Sequence, residues 1–336
     1  MMFTPFFLIF SFFLIFSSII SISSSTWLGA WFGLEVNLMS FIPLILTLGC
    51  NNSESMLKYF LVQAFSSILF LMSIIGILYH QDYVYFSLSG SYLVFIMVPL
   101  MIKLGSAPFH FWFPSVASSL DWLSNFILMT WQKLGPLILL GYVIQLNVFS
   151  LFVIVLSSIV GSVGGLNQTS LRKLMAYSSI NHLSWMLVSS IYGFSLVLCY
   201  YLLYTITNFI ILFMFYKMNL YFLSQLSYLN SNFINSLLFI NLFSFGGLPP
   251  FLGFMPKWFV LDTMMNNSLH LVAFIMVMFS LVSLFYYMRL GYVVYSQSGL
   301  LSLVGNMTFN WNLLIIFLSS ISLVGLILLP LFMILI

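Results

Sequence analysis

The chain has 336 residues, of which 62% are hydrophobic and only 4% are charged, with a formal net charge of +3. Soluble domains carry roughly 25% charged residues, so most of this surface is expected to face lipid instead of water. The eight basic residues are scattered, which excludes a basic face for nucleic acid, and two cysteines are too few for the four thiolates of an iron–sulfur cluster.

Eleven apolar stretches are predicted to cross the membrane as helices, because about 20 helical residues span a hydrocarbon core. The stretches are continuous, unlike the short alternating strands of a membrane β-barrel. The first lacks a basic leader and is interpreted as a span instead of a cleaved targeting peptide. The predicted fold is therefore an all-α membrane protein with a single polytopic domain. The spans cover residues 3–22, 27–49, 58–79, 90–114, 124–146, 149–167, 175–194, 196–216, 235–264, 269–289 and 312–336.

The basic residues of the connections predict the orientation. They lie at or near even-numbered connections, whereas Asp82 and Asp262 lie at odd-numbered ones. Positive connections stay on the inner side of a membrane, so the N-terminus is expected inside and the C-terminus outside. The basic residues concerned are Lys58, Arg172, Lys173, Lys217 and Arg289.

Two segments of the chain resemble each other: SAPFHFWFP at 106–114 and LPPFLGFMP at 248–256. Pro108 aligns with Pro250, and the proline that ends the first segment, Pro114, aligns with Pro256. The segments fall in the fourth and ninth spans, an odd difference, so the two copies would lie inverted in the membrane. Paired interrupted helices in inverted repeats indicate a transport path. The alternative is two proline-kinked helices that match by chance.

Four ionisable residues lie well inside apolar spans: Glu35, Lys103, Lys133 and Lys257. Each such charge costs about 2.5–3.5 kcal/mol at a helix centre, and membrane anchoring requires none of them. Burial disfavours the ammonium form of lysine and a nearby carboxylate favours it, so a lysine balanced between the two can take up or release a proton. Glu35, the only acid deep in the bundle, is predicted to pair with Lys103. The alternative is a static salt bridge.

The local sequence around the other two lysines also favours a proton path. Gly135 and Pro136 follow Lys133 and should free backbone carbonyls there, although this lysine could instead reach an interface. Lys257 follows GGLPPFLGFMP, whose glycines and prolines should unwind the helix. Unwound backbone is tolerated in a membrane only where it is buried in protein or lines a wet cavity. A kink that only shapes packing is the alternative.

His110 and His182 are weaker candidates for the same path. Histidine titrates near neutral pH and can bridge lysines through water, but a lone membrane histidine can equally be a hydrogen-bonded packing residue. No metal site is predicted, because no two His, Asp or Glu residues in the spans have i, i+3 or i, i+4 spacing. No phosphate loop or dinucleotide-binding glycine motif occurs, so no cofactor site is predicted in this chain.

Four segments closely resemble the chain 2 family of NADH-ubiquinone oxidoreductase, which are antiporter-like membrane subunits of mitochondrial respiratory complex I. The resemblance runs from about residue 27 to residue 289. The last span is similar only in its apolar composition. The segments are KLGSAPFHFWFP (103–114), WQKLGP (131–136), AYSSINHLSWM (176–186) and GGLPPFLGFMPKW (246–258).

The resemblance implies a fold of two inverted five-helix repeats, at about 1–146 and 149–289, each with a broken helix, plus a C-terminal span at 312–336. The wider family has fourteen helices, so eleven resembles the shortened animal form that lacks the first three. The absence of these three helices would leave a groove on one side of the bundle, which a neighbouring subunit would fill. The implied location is the mitochondrial inner membrane, with the N-terminus on the matrix side and the C-terminus on the intermembrane-space side.

The resemblance also implies the function. The family pumps protons with energy from redox chemistry in other subunits, which hold NADH, FMN, iron–sulfur clusters and ubiquinone, while this chain binds no cofactor. Expected partners are other membrane subunits of complex I, including antiporter-like neighbours, and lipids, but no nucleic acid. A stand-alone cation/proton antiporter and a passive scaffold remain as alternatives. In the relay that the resemblance implies, Glu35 and Lys103 are the acid–lysine pair, Lys133 is the central lysine and Lys257 is the exit lysine. His182 and His110 join the predicted relay only on the chemistry of histidine described above.

Overall fold

A computed structural model describes residues 5–48, 53–81, 90–228, 232–297, 319–320 and 322. The chain divides into two compact units, residues 1–153 and 154–336. Most of the predicted C-terminal span, as well as Cys50 and Asp82, lies outside the described residues. The predicted single domain built from two repeats stays a prediction.

The first unit is built from seven helices in its described residues, joined by short connections. An eighth helix, α8, begins in the first unit and ends in the second. The helices are α1 (Pro5–Ser23), α2 (Trp27–Leu48), α3 (Ser53–Gln81), α4 (Gly90–Leu104), α5 (Trp112–Ser119), α6 (Trp122–Met129), α7 (Trp131–Gly141) and α8 (Val148–Leu166).

The second unit continues with further helices, and an isolated antiparallel bridge joins Ser170 to Phe222. The described part of this unit holds α9 (Leu171–Tyr192), α10 (Phe194–Met218), a short 3₁₀ helix (Leu223–Tyr228), α11 (Asn232–Gly246), α12 (Phe254–Asn266) and α13 (His270–Gln297).

The helical class predicted from the apolar stretches is confirmed, whereas the number of eleven spans is not established. Among the described helices, six are long and apolar enough to cross a membrane: α1, α2, α3, α8, α10 and α13. Two shorter apolar helices, Leu93–Leu104 and Asn235–Gly246, each end at a break in the chain. α9 is more polar, yet almost all of it is buried inside the second unit, which explains its serines, asparagine and histidine.

Two helix breaks lie in the segments that resemble each other. α4 ends at Leu104 and α5 begins at Trp112, whereas α11 ends at Gly246 and α12 begins at Phe254. A glycine with positive φ follows each first half: Gly105 at +71° and Gly247 at +84°. Glycine tolerates this left-handed conformation because it has no Cβ, and it commonly ends helices in this way.

A third interruption was not expected from the sequence, which predicts one continuous helix over 124–146. The structure instead contains α6 and α7, which meet at Thr130. The Thr130 hydroxyl donates to the Phe126 carbonyl at 2.6 Å. Such a side-chain bond back to the preceding turn competes with the helix ladder and bends it. The interruption at Thr130 lies several residues before Gly135 and Pro136, which are inside α7.

The outer and inner surfaces of the helices differ as expected for a bundle in lipid. Phe6, Phe12 and Phe16 on α1 are exposed, which is favourable where the solvent is hydrocarbon. Inside the second unit, a Cβ on Gly161 would lie 2.5 Å from the backbone nitrogen of Asn181. α8 and α9 therefore approach each other closely at this position, where only glycine fits.

Candidate functional site

Lys103 lies in the last turn of α4, and its side chain is buried. Because the helix ends there, its final carbonyls have no intrahelical donors. The Trp112 indole Nε1 donates to the Ile102 carbonyl at 3.2 Å, and the Gln63 amide donates to the Lys103 carbonyl at 3.3 Å. These bonds satisfy the helix end inside the unit, where the negative end of the helix dipole favours an ammonium group.

Glu35, the predicted partner of Lys103, lies half-buried on α2. Its carboxylate oxygen Oε1 is buried and has no hydrogen-bond partner among the described residues. The charge of Glu35 acts on Lys103. However, no ion pair within 4.0 Å joins these two side chains, both of which the structure describes. The two groups therefore lie within electrostatic reach of each other without direct contact.

Lys133 lies near the start of α7 and is 2% exposed, so its side chain stays inside the first unit. Its ammonium nitrogen Nζ lies 4.9 Å from the centroid of the Phe113 ring. The ring face carries negative charge density, and the attraction of a cation to it strengthens where water is excluded. Phe113 belongs to α5, so the helix that follows the first break contacts the second buried lysine.

Lys103 and Lys133 border the same small cavity in the first unit. The cavity has a volume of about 10 Å³, close to the least that admits one water molecule. Apolar side chains, including Leu34, Leu38 and Phe113, close part of its wall. The structure therefore brings together two of the residues that the sequence predicts. The polar side chains that line the remaining wall are Asn37, Tyr59, Gln63 and Gln132.

His110 lies between α4 and α5, in the first helix break. Its ring is buried, packs 4.3 Å from the Phe111 ring between centroids, and its Nδ1 has no hydrogen-bond partner among the described residues. His110 is not among the residues that line the cavity between the two lysines. The cavity therefore gives no support for the predicted role of His110 in the relay.

Lys257 lies in the first turn of α12, in the second unit, and is also buried. Its Nζ donates to the carbonyl of Gly246, the last residue of α11, at 2.8 Å. A Cβ on Gly247 would lie 2.9 Å from that nitrogen. The ammonium group thus satisfies a carbonyl at the negative end of a helix, where a cation is favoured.

His182 lies on α9 in the second unit and is buried. Its Nδ1 lies 2.9 Å from the Tyr200 hydroxyl, and its ring centroid lies 4.5 Å from that of Phe245. The Tyr204 ring packs against it at 5.2 Å. His182 therefore belongs to a buried aromatic cluster that also offers a hydroxyl hydrogen-bond partner.

Several polar residues of these sites were missed by the sequence analysis because they carry no charge. Tyr200, Tyr204 and Asn208 follow one another at i, i+4 spacing on α10, and all three are buried. Residues four apart share one helix face, so this polar stripe in an apolar helix was a usable signal. In the first unit, Gln132 directly precedes Lys133, and no periodicity indicates its importance. Among the described residues, no group of three His, Cys, Asp or Glu side chains is placed to hold a metal ion.

Comparison with known proteins gives a consistent family assignment. Residues 24–283 match the family model described as "NADH:quinone oxidoreductase/Mrp antiporter, TM". NADH-ubiquinone oxidoreductase chain 2 of Anopheles gambiae is 46% identical over 285 residues, which cover 83% of this chain and 82% of that protein. Chain 2 of Aedes aegypti is 43% identical over 323 residues, which cover 94% of each. The chain belongs to the chain 2 family.

Membership of the chain 2 family confirms the resemblance predicted from the four segments. All six residues of the predicted relay lie within the matched range, residues 24–283. The fold also matches a chain of "Respiratory complex I from Thermus thermophilus with bound Aureothin", with a TM-score of 0.82 and 22% sequence identity. That match covers 97% of this chain and 79% of the other.

Proposed function

We propose that this chain is a proton-translocating membrane subunit of respiratory NADH:ubiquinone oxidoreductase, located in the mitochondrial inner membrane. The main support is the cavity of the first unit, where two buried lysines border a polar space with room for one water molecule. Lysines inside a membrane bundle are costly and typically mark ion or proton paths. The chain 2 relatives carry the name of this oxidoreductase.

In the proposed route, a rearrangement at the quinone end of the assembly alters the electrostatic field around Glu35. Lys103 lies within electrostatic reach of that carboxylate, so its hold on a proton changes. The proton passes from Lys103 to Lys133 across the cavity that both residues border. In the second unit, Lys257 releases a proton to the outer side, and His182 is an intermediate carrier. His110, next to the first break, is a further candidate carrier.

We also propose the finer architecture, with eleven spans and two inverted five-helix repeats. Both breaks follow the first half of an interrupted helix, and both have a positive-φ glycine directly after it. In each unit a buried lysine is associated with the C-terminal end of that first half: Lys103 through its position, and Lys257 through its bond to Gly246. The shared design supports a common origin of the two halves.

The proposed orientation places the N-terminus in the matrix. Within the second unit, Arg289 donates to the Gln168 carbonyl at 3.3 Å, and Arg172 packs on the Tyr221 ring at 5.0 Å. The bridge near Ser170 joins the segments that carry these contacts. Asp262, by contrast, is exposed in α12, the helix that precedes α13. Arg289 lies 19 residues after the first residue of α13, or about 28 Å along its axis. This charge separation favours the basic end as the inner side.

The proposed role requires partners. NADH, FMN, iron–sulfur clusters and ubiquinone would lie in other subunits, because the two cysteines of this chain cannot ligate a cluster. Neighbouring antiporter-like subunits and lipids would cover the exposed apolar helices such as α1. The chain is thus proposed to be a subunit without redox chemistry of its own.

Replacing a buried lysine by leucine in the assembled complex tests this proposal. We expect Lys133→Leu and Lys257→Leu to lower proton translocation per NADH oxidised, measured in sealed membrane vesicles. Lys58→Leu is the matched control, because Lys58 is exposed. A passive scaffold predicts normal translocation in all three variants, and that outcome would exclude the proposed role.

The alternative of a stand-alone cation/proton antiporter is tested separately. The purified chain alone would be reconstituted in vesicles with an imposed sodium or potassium gradient and a pH indicator inside. We expect no exchange, because the proposed driving force comes from other subunits. Exchange by the isolated chain, abolished by Lys133→Leu, would favour the antiporter instead.

A further inference from the structure

A chain of three uncharged side chains crosses the wall of the cavity between Lys103 and Lys133. The Tyr59 hydroxyl donates to Gln132 Oε1 at 3.2 Å, and Gln132 Nε2 donates to Asn37 Oδ1 at 3.0 Å. These residues lie on α3, α7 and α2, so the two bonds connect three helices around one cavity. All three residues line the cavity together with both lysines.

The hydrogen bonds among Tyr59, Gln132 and Asn37 all run in one direction, from donor to acceptor. A tyrosine hydroxyl has one proton, so donating it to Gln132 leaves the Tyr59 oxygen as an acceptor only. Asn37 accepts through its carbonyl oxygen and keeps its Nδ2 group as a donor. The chain therefore presents an acceptor at one end and a donor at the other. A water molecule in the cavity would be oriented by these two ends.

The backbone next to Gln132 adds a further constraint. Pro136 lies in α7, four residues after Gln132, and has no N–H. The Gln132 carbonyl consequently lacks the i+4 donor that a regular α-helix would supply. Pro136 also lines the cavity. Gln132 thus lies where the hydrogen bonding of α7 is interrupted and directly before Lys133. It is also the middle member of the hydrogen-bonded series with Tyr59 and Asn37.

We propose that Gln132, held by Tyr59 and Asn37, is a positioning residue that orients one water molecule between Lys103 and Lys133. This inference rests on the proposed proton-translocating function. The water accepts a proton from the Lys103 ammonium as it gives one of its own protons to the neutral Lys133 amine. One proton then moves from one Nζ to the other, and the water is regenerated. Gln132 itself neither gains nor loses a proton.

The size of the cavity supports an ordered water in place of a bulk-like channel. About 10 Å³ admits roughly one water molecule, which needs two to four polar partners to be held. Lys103, Lys133, Gln132 and Tyr59 line the cavity and carry polar groups of the kind required. With only one water, the orientation of that molecule decides whether its proton points toward Lys133. A misoriented water slows proton transfer between the two lysines, because the rate depends steeply on the geometry of the reacting groups.

The test measures coupled NADH:ubiquinone turnover and proton translocation in assembled complex with Gln132→Leu, in both H₂O and D₂O. We expect turnover to fall roughly tenfold, because the oriented water is lost. We also expect a larger solvent deuterium isotope effect than in the wild type, because proton transfer becomes slower than the other steps. Tyr59→Phe removes one hydrogen-bond donor and changes the side-chain volume little. It should lower turnover and raise the isotope effect by smaller factors than Gln132→Leu does.

Asn125→Leu is the matched structural control. Asn125 is a buried amide in the same unit that donates to the Ala117 and Leu120 carbonyls, and it does not line the cavity. We expect this variant to lower the thermal stability of the complex and leave the isotope effect unchanged. If Gln132→Leu moves turnover and the isotope effect no more than Asn125→Leu does, the positioning role is wrong.

Two further outcomes separate this inference from the proposed function. The Tyr59→Phe/Gln132→Leu double variant should be no slower than Gln132→Leu alone, because both changes break one chain. Additive losses would mean that the residues act independently, which contradicts the proposal. If Lys133→Leu abolishes translocation while Gln132→Leu does not alter it, only the positioning role fails. If Lys133→Leu also leaves translocation intact, the proposed function fails first.

Discussion

The two units each hold a buried lysine at a helix break, but they satisfy its ammonium group in different ways. In the first unit, Lys103 and Lys133 border a cavity with room for a water molecule. In the second unit, the Lys257 ammonium is bonded to the carbonyl of Gly246. A water molecule can give and take protons, whereas a backbone carbonyl can only accept a hydrogen bond.

This difference suggests different tasks for the two breaks. A lysine beside water can exchange its proton without moving far. The Lys257 ammonium donates to the Gly246 carbonyl, so that bond must break before the proton in it can move to another group. We therefore expect the first unit to pass protons readily and the second to hold one until the helix break rearranges.

The largest effect is expected from Lys103→Leu, which removes one side of the cavity. Loss of a proton carrier typically costs about a hundredfold or more in rate, so coupled turnover should nearly cease. Glu35 would then lack the lysine on which its charge acts. Proton uptake by vesicles during NADH oxidation measures the effect. Turnover within a factor of two of the wild type would contradict the role of the cavity.

A smaller and separable effect is expected from the pair Lys257→Met and Lys257→Arg. Methionine removes both the charge and the donor to Gly246, so translocation should fall by roughly tenfold. Arginine keeps a donor and a charge at the helix end but cannot release its proton. If the second unit only needs a fixed charge, Lys257→Arg should retain full translocation. We expect it to retain assembly and lose translocation.

Alanine at the two positive-φ glycines is expected to give an intermediate effect that distinguishes the breaks. Gly105→Ala and Gly247→Ala should each destabilise the protein by about 1–2 kcal/mol, because an L side chain is strained in that conformation. Only the new Cβ at Gly247 would press on a relay lysine, at 2.9 Å from Nζ, whereas at Gly105 it meets Phe113 Cβ at 3.1 Å. Both variants should therefore lower Tm.

Proton translocation separates the two alanine variants. We expect Gly247→Ala to reduce it beyond any loss of assembled complex, and by more than Gly105→Ala, whose Cβ meets Phe113 and no lysine. Native gel quantification of the complex supplies the reference amount. Equal specific translocation in both variants would show that the lysine at the second break tolerates displacement.

The smallest effect is expected from Trp112→Phe. Phenylalanine fills most of the same space but lacks the Nε1 donor that satisfies the Ile102 carbonyl. The Ile102 carbonyl keeps the Gly105 N–H as a donor at 3.1 Å, so the loss costs about 0.5–1.5 kcal/mol and Tm should fall slightly. Translocation per assembled complex should fall less than in Lys103→Leu, because Trp112 lines the cavity but its indole carries no proton along the path. A loss as large as that of Lys103→Leu would assign Trp112 to the path.

Much of the architecture could be read from the sequence, and the reason is energetic. A helix satisfies its own backbone groups in lipid, so apolar runs of about 20 residues must be helices. Glycine and proline near Lys103 and Lys257 marked both breaks, since these residues change the backbone locally. The interruption at Thr130 was missed because threonine is common inside membrane helices, and only the Phe126 carbonyl nearby reveals its bend.

Charge inside an apolar span is a property of single residues, and it sufficed to select Glu35, Lys103, Lys133 and Lys257 from the sequence. What the tertiary structure alone decided is which groups meet these side chains. Gln132, Tyr59 and Asn37 come from three helices, and no spacing along the chain predicts their hydrogen bonds. The free-energy cost of burying a charge can be read from a single residue in the sequence. The groups that compensate for this cost come from other helices, and only folding brings them together.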